Sequence, residues 1–110
     1  MDFKHKNLAE GRWFEFSLPA QMGNIGSEVN RAWRWQGKDE KLFQGAVERT
    51  LELFELTLSD KRWKGRLKEI ARAREVFLDA ALFRGREYRT DLKDLTRYFD
   101  EFALAAARKI

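Results

Sequence analysis

The chain has no cysteine, one proline and one histidine among its 110 residues. The lack of thiols excludes disulfides and cysteine metal sites and fits a reducing compartment, so we expect a cytoplasmic protein. The lone His5 excludes paired histidine ligands and the repeated Glu-x-x-His motifs of di-iron bundles. A phosphate-binding glycine loop and a Gly-x-Ser-x-Gly nucleophile motif are also missing. These absences predict a non-enzymatic protein with no metal and no cofactor.

Long hydrophobic runs are missing too, because charged residues make up 36% of the chain and interrupt every apolar stretch. We therefore expect no signal peptide and no membrane span. A hydrophobic fraction of 44% and an aromatic fraction of 14% are enough to form the core of one domain over residues 1–110. Few glycines, one proline and high charge favour an all-α fold.

Four amphipathic segments follow an N-terminal extension, residues 1–16, which we expect to pack on them. Their apolar residues recur at helical spacing and predict helices over about 18–36, 39–58, 65–84 and 91–108. Ser17 and Asp39 stand where N-cap residues are favoured, and Thr90 and Asp91 both offer an N-cap for the fourth helix. The short connections predict an up-and-down antiparallel four-helix bundle.

Two glycines, Gly23 and Gly26, lie inside the first predicted helix, with Ser27 on the same strip. Each interior glycine costs about 1 kcal/mol relative to alanine, which indicates close approach of another helix. That helix belongs either to the same chain or to a second copy. The second case gives our first hypothesis, a self-associating interaction module that forms a homodimer, with exposed tryptophans (Trp13, Trp33 or Trp35) adding to the interface.

Basic residues cluster after the second predicted helix, around one tryptophan: Lys61, Arg62, Trp63, Lys64, Arg66, Lys68 and Arg72. Such a cluster attracts phosphate backbones, and Trp63 could stack on an unpaired base. This gives our alternative hypothesis, an RNA- or DNA-binding accessory to a separately encoded partner protein, compatible with a net charge of +4. The structural interpretation is that the antiparallel neighbour of the second helix answers its acidic residues, Glu48, Glu52 and Glu55, with Lys68, Arg72 and partners across the surface.

A second polar group consists of Asn24, Glu28, Arg31 and Arg74. Arg74 falls close to the apolar stripe of its helix and needs a carboxylate partner there, for which Glu28 is the candidate. The pair would fix the register of the bundle. Alternatively, the four side chains line a pocket for a phosphate or carboxylate, which the planar guanidinium fork suits.

Several stretches carry a family resemblance: Asn24-Ile25-Gly26-Ser27-Glu28-Val29, Ala46-Val47-Glu48-Arg49, Arg66-Leu67-Lys68-Glu69 and Arg72-Ala73-Arg74-Glu75. Over roughly Trp13 to Arg108 the chain resembles a family of short, uncharacterised bacterial helical proteins, which implies a helical fold and no activity. Its predicted fold is also similar to HEPN and nucleotidyltransferase substrate-binding domains. The stretch Asn7-Leu8-Ala9-Glu10-Gly11 resembles S23-type intervening-sequence proteins. The chain lacks the arginine-to-histidine motif of HEPN ribonucleases, so no catalytic residue is carried over.

Overall fold

The computed structural model describes residues 11–108, which contain four α-helices, two short 3₁₀ helices and no β-strand. The α-helices are α1, Leu18–Trp35; α2, Glu40–Leu58; α3, Leu67–Leu82; and α4, Leu92–Arg108. The first 3₁₀ helix is Arg12–Glu15 and the second is Lys61–Arg66. The predicted all-α four-helix fold is confirmed, and each helix begins and ends within two residues of its predicted bounds.

The N-cap predictions are confirmed at three helix starts. The side-chain oxygens of Ser17, Asp39 and Asp91 accept hydrogen bonds from backbone amides three residues later, at 3.3, 3.0 and 2.8 Å. These contacts satisfy amides that have no partner within the first turn of a helix, and each stabilises its helix by about 1 kcal/mol.

α1 is the central helix, packing on α4 and on α2. Its buried side chains recur at helical spacing, namely Leu18, Met22, Ile25, Val29 and Ala32. The other three helices meet at the buried ring of Phe54 on α2. Its centroid lies 6.3 Å from that of Phe77 on α3 and 6.1 Å from that of Phe99 on α4. The core therefore lies between α1 and a cluster of aromatic rings from the other helices.

The close neighbour of Gly23 and Gly26 is α4 of the same chain. A Cβ added to Gly26 would overlap Cβ of Phe99, and one added to Gly23 would lie 3.1 Å from Cα of Ala103. The two glycines let the helices approach closely, so within the described part of the chain this strip is already covered. Ser27, which we had grouped with them, is exposed, and its hydroxyl donates to the carbonyl of Gly23 at 3.4 Å.

The described part of the N-terminal extension packs against the helices. Trp13, in the first 3₁₀ helix, is 1% exposed and belongs to the core, so its proposed role as an exposed interface residue is wrong. The rest of the predicted extension, residues 1–10 with His5, lies outside the described residues. Between residues 11 and 108, none of the helices has the length and apolar character needed to cross a lipid bilayer.

Candidate functional site

A buried polar network joins the two 3₁₀ helices to α1 and α2, with Gln21 at its centre. Gln21 is fully buried; its side-chain amide donates to the carbonyl of Trp13 at 3.0 Å and to Oδ2 of Asp60 at 3.1 Å. The indole of Trp63 donates to Oε1 of Gln21 at 2.7 Å, and that of Trp13 donates to the buried Thr57 hydroxyl at 3.0 Å. Buried polar groups are stable only when paired, and this network pairs them.

Arg62 closes the network at the surface. Its guanidinium donates to both carboxylate oxygens of Asp60, at 3.1 and 2.7 Å, and to the carbonyl of Phe16 at 2.7 Å. The side-chain hydrogen bonds from Arg62 lower the pKa of Asp60, against the opposing effect of burial. The charge of Arg62 is therefore used to hold two chain segments together.

The predicted basic surface is divided by these contacts. Besides Arg62, two of its arginines pair with carboxylates on α3: Arg66 with Glu69 at 2.8 Å and Arg72 with Glu75 at 3.6 Å. Arg72, which we expected to answer the acidic residues of α2, thus pairs with a carboxylate of its own helix. Three lysines of the surface are exposed and form no ion pair within residues 11–108: Lys61, Lys64 and Lys68.

Trp63 is held in place by contacts within the chain. Its ring is partly buried against the core, its indole nitrogen donates to Gln21, and the Arg62 guanidinium lies 4.4 Å from the ring centroid. One face of the ring is thus covered by a cation within the chain. These tertiary contacts hold the ring and its hydrogen-bond donor, and they weaken the support for Trp63 as a stacking residue.

The predicted polar pocket is not assembled. Glu28, 8% exposed, pairs with Arg49 of α2 at 3.2 Å and with Arg31 at 3.5 Å, and not with Arg74. Arg74 lies beside α2 in a shallow depression lined by Glu55, Leu58, Ser59, Ala71, Arg74 and Glu75. The exposed Asn24 donates to the carbonyl of Ala20 on its own helix at 2.7 Å. The carboxylate of Glu28 instead joins α1 to α2 through Arg49, a partner that sequence reasoning did not single out.

A cleft of about 300 Å³, which the sequence did not predict, lies between α3 and α4. It is lined by Glu69, Arg72, Ala73, Val76, Thr90, Asp94, Leu95 and Tyr98. Ala73, Val76 and Leu95 give it an apolar floor, and Tyr98 stands beside them 38% exposed. Burial, and then the carboxylate of Glu69, raise the pKa of Tyr98. The sequence of α4 did carry a signal for this cleft. Tyr98 and Phe102 make the apolar stripe of the helix wider than packing against a single neighbouring helix requires.

The loop between α3 and α4 is a second feature that the sequence analysis missed, and it is organised by the buried Asp79. The carboxylate of Asp79 accepts hydrogen bonds from the backbone amides of Glu87 and Tyr88, at 3.1 and 3.0 Å. Its carbonyl accepts from the amides of Phe83 and Gly85, at 2.9 and 3.1 Å. An aspartate on the buried side of a helix is the sequence signal for such a loop anchor.

Neither a search for metal-binding groups nor comparison with known proteins assigns a function to the chain. Among residues 11–108 no group of three or more histidine, cysteine, aspartate or glutamate side chains is placed to hold a metal ion. Comparison of the chain with protein-family models, curated proteins and solved structures finds no match. The family resemblances given above therefore stay predictions.

Proposed function

We propose that this protein is a non-enzymatic, cytoplasmic interaction module that forms a symmetric homodimer through the cleft between α3 and α4. The single observation that supports the proposal most is a difference between two helix contacts. A cleft remains open between α3 and α4, whereas α1 and α4 pack closely against each other at Gly23 and Gly26. The site of association therefore differs from the glycine strip that the sequence suggested.

The shape of the cleft supports docking of a second copy. Its floor is apolar, and the exposed ring of Tyr98 stands at its edge. Removing apolar surface of this kind from water is favourable, by about 25 cal/mol per Å². Aromatic residues are enriched at the centre of protein interfaces because they bury a large area at low cost in conformational entropy.

The charges around the cleft support a two-fold symmetric contact. Its rim carries carboxylates, Glu69 and Asp94, and a guanidinium, Arg72. In a two-fold interface the same patch is used on both subunits, so a rim of mixed sign can place Arg72 of each copy opposite a carboxylate of the other. A patch of a single sign would repel its own copy.

The test uses two exposed apolar residues of α4. Tyr98 borders the cleft, whereas Leu104, 55% exposed, does not line it and lies on another face of the helix. We expect light scattering to give a dimer for the wild type and for Leu104→Glu, and a monomer for Tyr98→Glu. Circular dichroism should show unchanged helix content in both variants. A wild-type monomer at all concentrations, or a dimer of Tyr98→Glu, would overturn the proposal.

Nucleic-acid binding through the Lys61 to Arg72 surface has less support. Three of its arginines are engaged with carboxylates and Trp63 is held by Gln21, which leaves three free lysines to meet a phosphate backbone. Another surface of the chain suits this chemistry better.

A further inference from the structure

We propose that the loop between α3 and α4 binds single-stranded nucleic acid. Three of its side chains define what we call the arginine loop: Arg84, Arg86 and Arg89. All three are exposed, and within residues 11–108 none forms an ion pair. Glu87 is the carboxylate between them, and the carboxylate of Asp91 caps α4. The loop therefore presents an excess of positive charge to solvent.

The backbone that carries these arginines is fixed before any ligand arrives. Asp79 accepts four backbone hydrogen bonds from residues 83–88, and the amide of Arg89 donates to the carbonyl of Gly85 at 2.7 Å. A Cβ on Gly85 would lie 2.7 Å from the carbonyl oxygen of Thr90, so the loop is also tightly folded on itself. Preorganised cations bind an anion with less loss of conformational entropy than cations on a mobile loop.

Two of the arginines occupy an unfavourable backbone conformation. The φ angles of Arg84 and Arg89 are 54° and 56°, in the left-handed region where glycine is accommodated without steric cost. An arginine there costs on the order of 1 kcal/mol relative to glycine. Such strain is characteristic of functional positions, and here it points to a use for the side chains that glycine could not replace.

Aromatic rings lie at the same end of the molecule. Phe83, which opens the loop, is 59% exposed. Gln36 donates to the carbonyls of Ala80 and Ala81, both at 3.3 Å, and so holds the turn between α1 and α2 against the end of α3. That turn and the last turn of α1 add exposed residues of the same kinds: Trp33, Arg34, Trp35 and Lys38.

Exposed rings interspersed with cations suit a single strand of nucleic acid. Guanidinium groups take phosphates in a bidentate fork, and unpaired bases stack on aromatic faces irrespective of sequence. A duplex hides its bases from such rings. A lipid surface is bound by helices with a continuous apolar face, which this end of the molecule does not present.

The experiment measures fluorescence anisotropy of a labelled, mixed-sequence single-stranded RNA of about 16 nucleotides, a length that covers a typical binding site. The variant is the double substitution Arg84→Gly with Arg89→Gly, and its control, Lys64→Gln with Lys68→Gln, removes the same charge from the lysine surface. Because glycine suits both loop positions, the arginine variant should unfold at the wild-type temperature or above it.

We expect wild type and control to bind with affinity that falls as salt rises. Each phosphate contact contributes about 0.7 to the slope of log affinity against log salt, so losing two contacts should lower that slope by about 1.4. Affinity near 50 mM salt should fall on the order of tenfold or more in the arginine variant. Phe83→Ala should weaken binding about fivefold or more through lost stacking.

Three results would overturn the proposal. One is the absence of RNA binding by the wild type at low salt. Another is wild-type affinity in the arginine variant, above all if the lysine control loses binding. The third is a wild-type protein that binds anionic vesicles, or the duplex of the same sequence, but has no affinity for the single strand. The dimer test is separate, because Tyr98→Glu changes the cleft and leaves the three arginines in place.

Discussion

A methyl group placed on Gly26 should force α1 and α4 apart. In Gly26→Ala the new Cβ would overlap Cβ of Phe99, whereas ordinary contacts begin at 3.4 Å. Phe99 is 1% exposed and packs on Phe54, so its ring has no free space into which it could move. The helix containing Phe99 has to shift along much of the seam instead.

The magnitude follows from two opposing effects. Overpacking a closed core costs about 1–3 kcal/mol, and replacing an interior helical glycine by alanine returns about 1 kcal/mol. We expect a net loss of up to about 2 kcal/mol in the free energy of unfolding. At Gly23 the nearest atom, Cα of Ala103, would be 3.1 Å away, so Gly23→Ala should lie between Gly26→Ala and neutrality.

Gly45 provides a matched control in the interior of α2. An added Cβ there would lie 3.4 Å from the guanidinium of Arg49, which is the far end of a flexible side chain. Gly45→Ala should therefore raise the free energy of unfolding by about 1 kcal/mol. Urea unfolding followed by circular dichroism separates the variants, and about 4 °C of melting temperature per kcal/mol gives a second measure. If Gly26→Ala proves as stable as Gly45→Ala, the inferred close contact between α1 and α4 does not exist.

Two further predictions concern the network around Gln21. Gln21→Leu removes one hydrogen bond each from the Trp13 carbonyl, Asp60 and Trp63. The first two keep a partner in the Phe16 amide and in Arg62, but the indole of Trp63 is left unpaired, which should cost about 1–3 kcal/mol; urea unfolding measures the loss, and wild-type stability would contradict it. Because Arg62 lowers the pKa of Asp60, the stability gained from the ionised carboxylate is complete above its ordinary value of 3.8 and is lost as pH falls towards the folded value. Asp60→Asn should therefore destabilise the protein more at pH 7 than at pH 3, and an equal difference at both pH values would refute this cause.

The number, bounds and caps of the helices followed from the sequence. Ser17, Asp39 and Asp91 bond to backbone amides three residues away, so neither the cap nor its signal depends on the rest of the fold. The apolar stripe of α1 was readable for a similar reason, since residues three and four apart share one face of a helix whatever packs against it. Gly23 and Gly26 likewise predicted that another helix packs closely against α1.

The identity of each neighbour came only from the tertiary structure. Glu28 meets Arg49, 21 residues away, rather than Arg74, and Gln21 meets Trp63 across 42 residues. Composition and spacing carry no information on such pairs, because they depend on which helices become adjacent and at what height along their axes. The glycine strip faces α4 of its own chain because α1 is the central helix, and the indole of Trp63 donates to Gln21 because the fold brings the two side chains together. Interactions between residues close in sequence determined the helices and their caps. Which helices pack against each other determined which of their surfaces remain exposed.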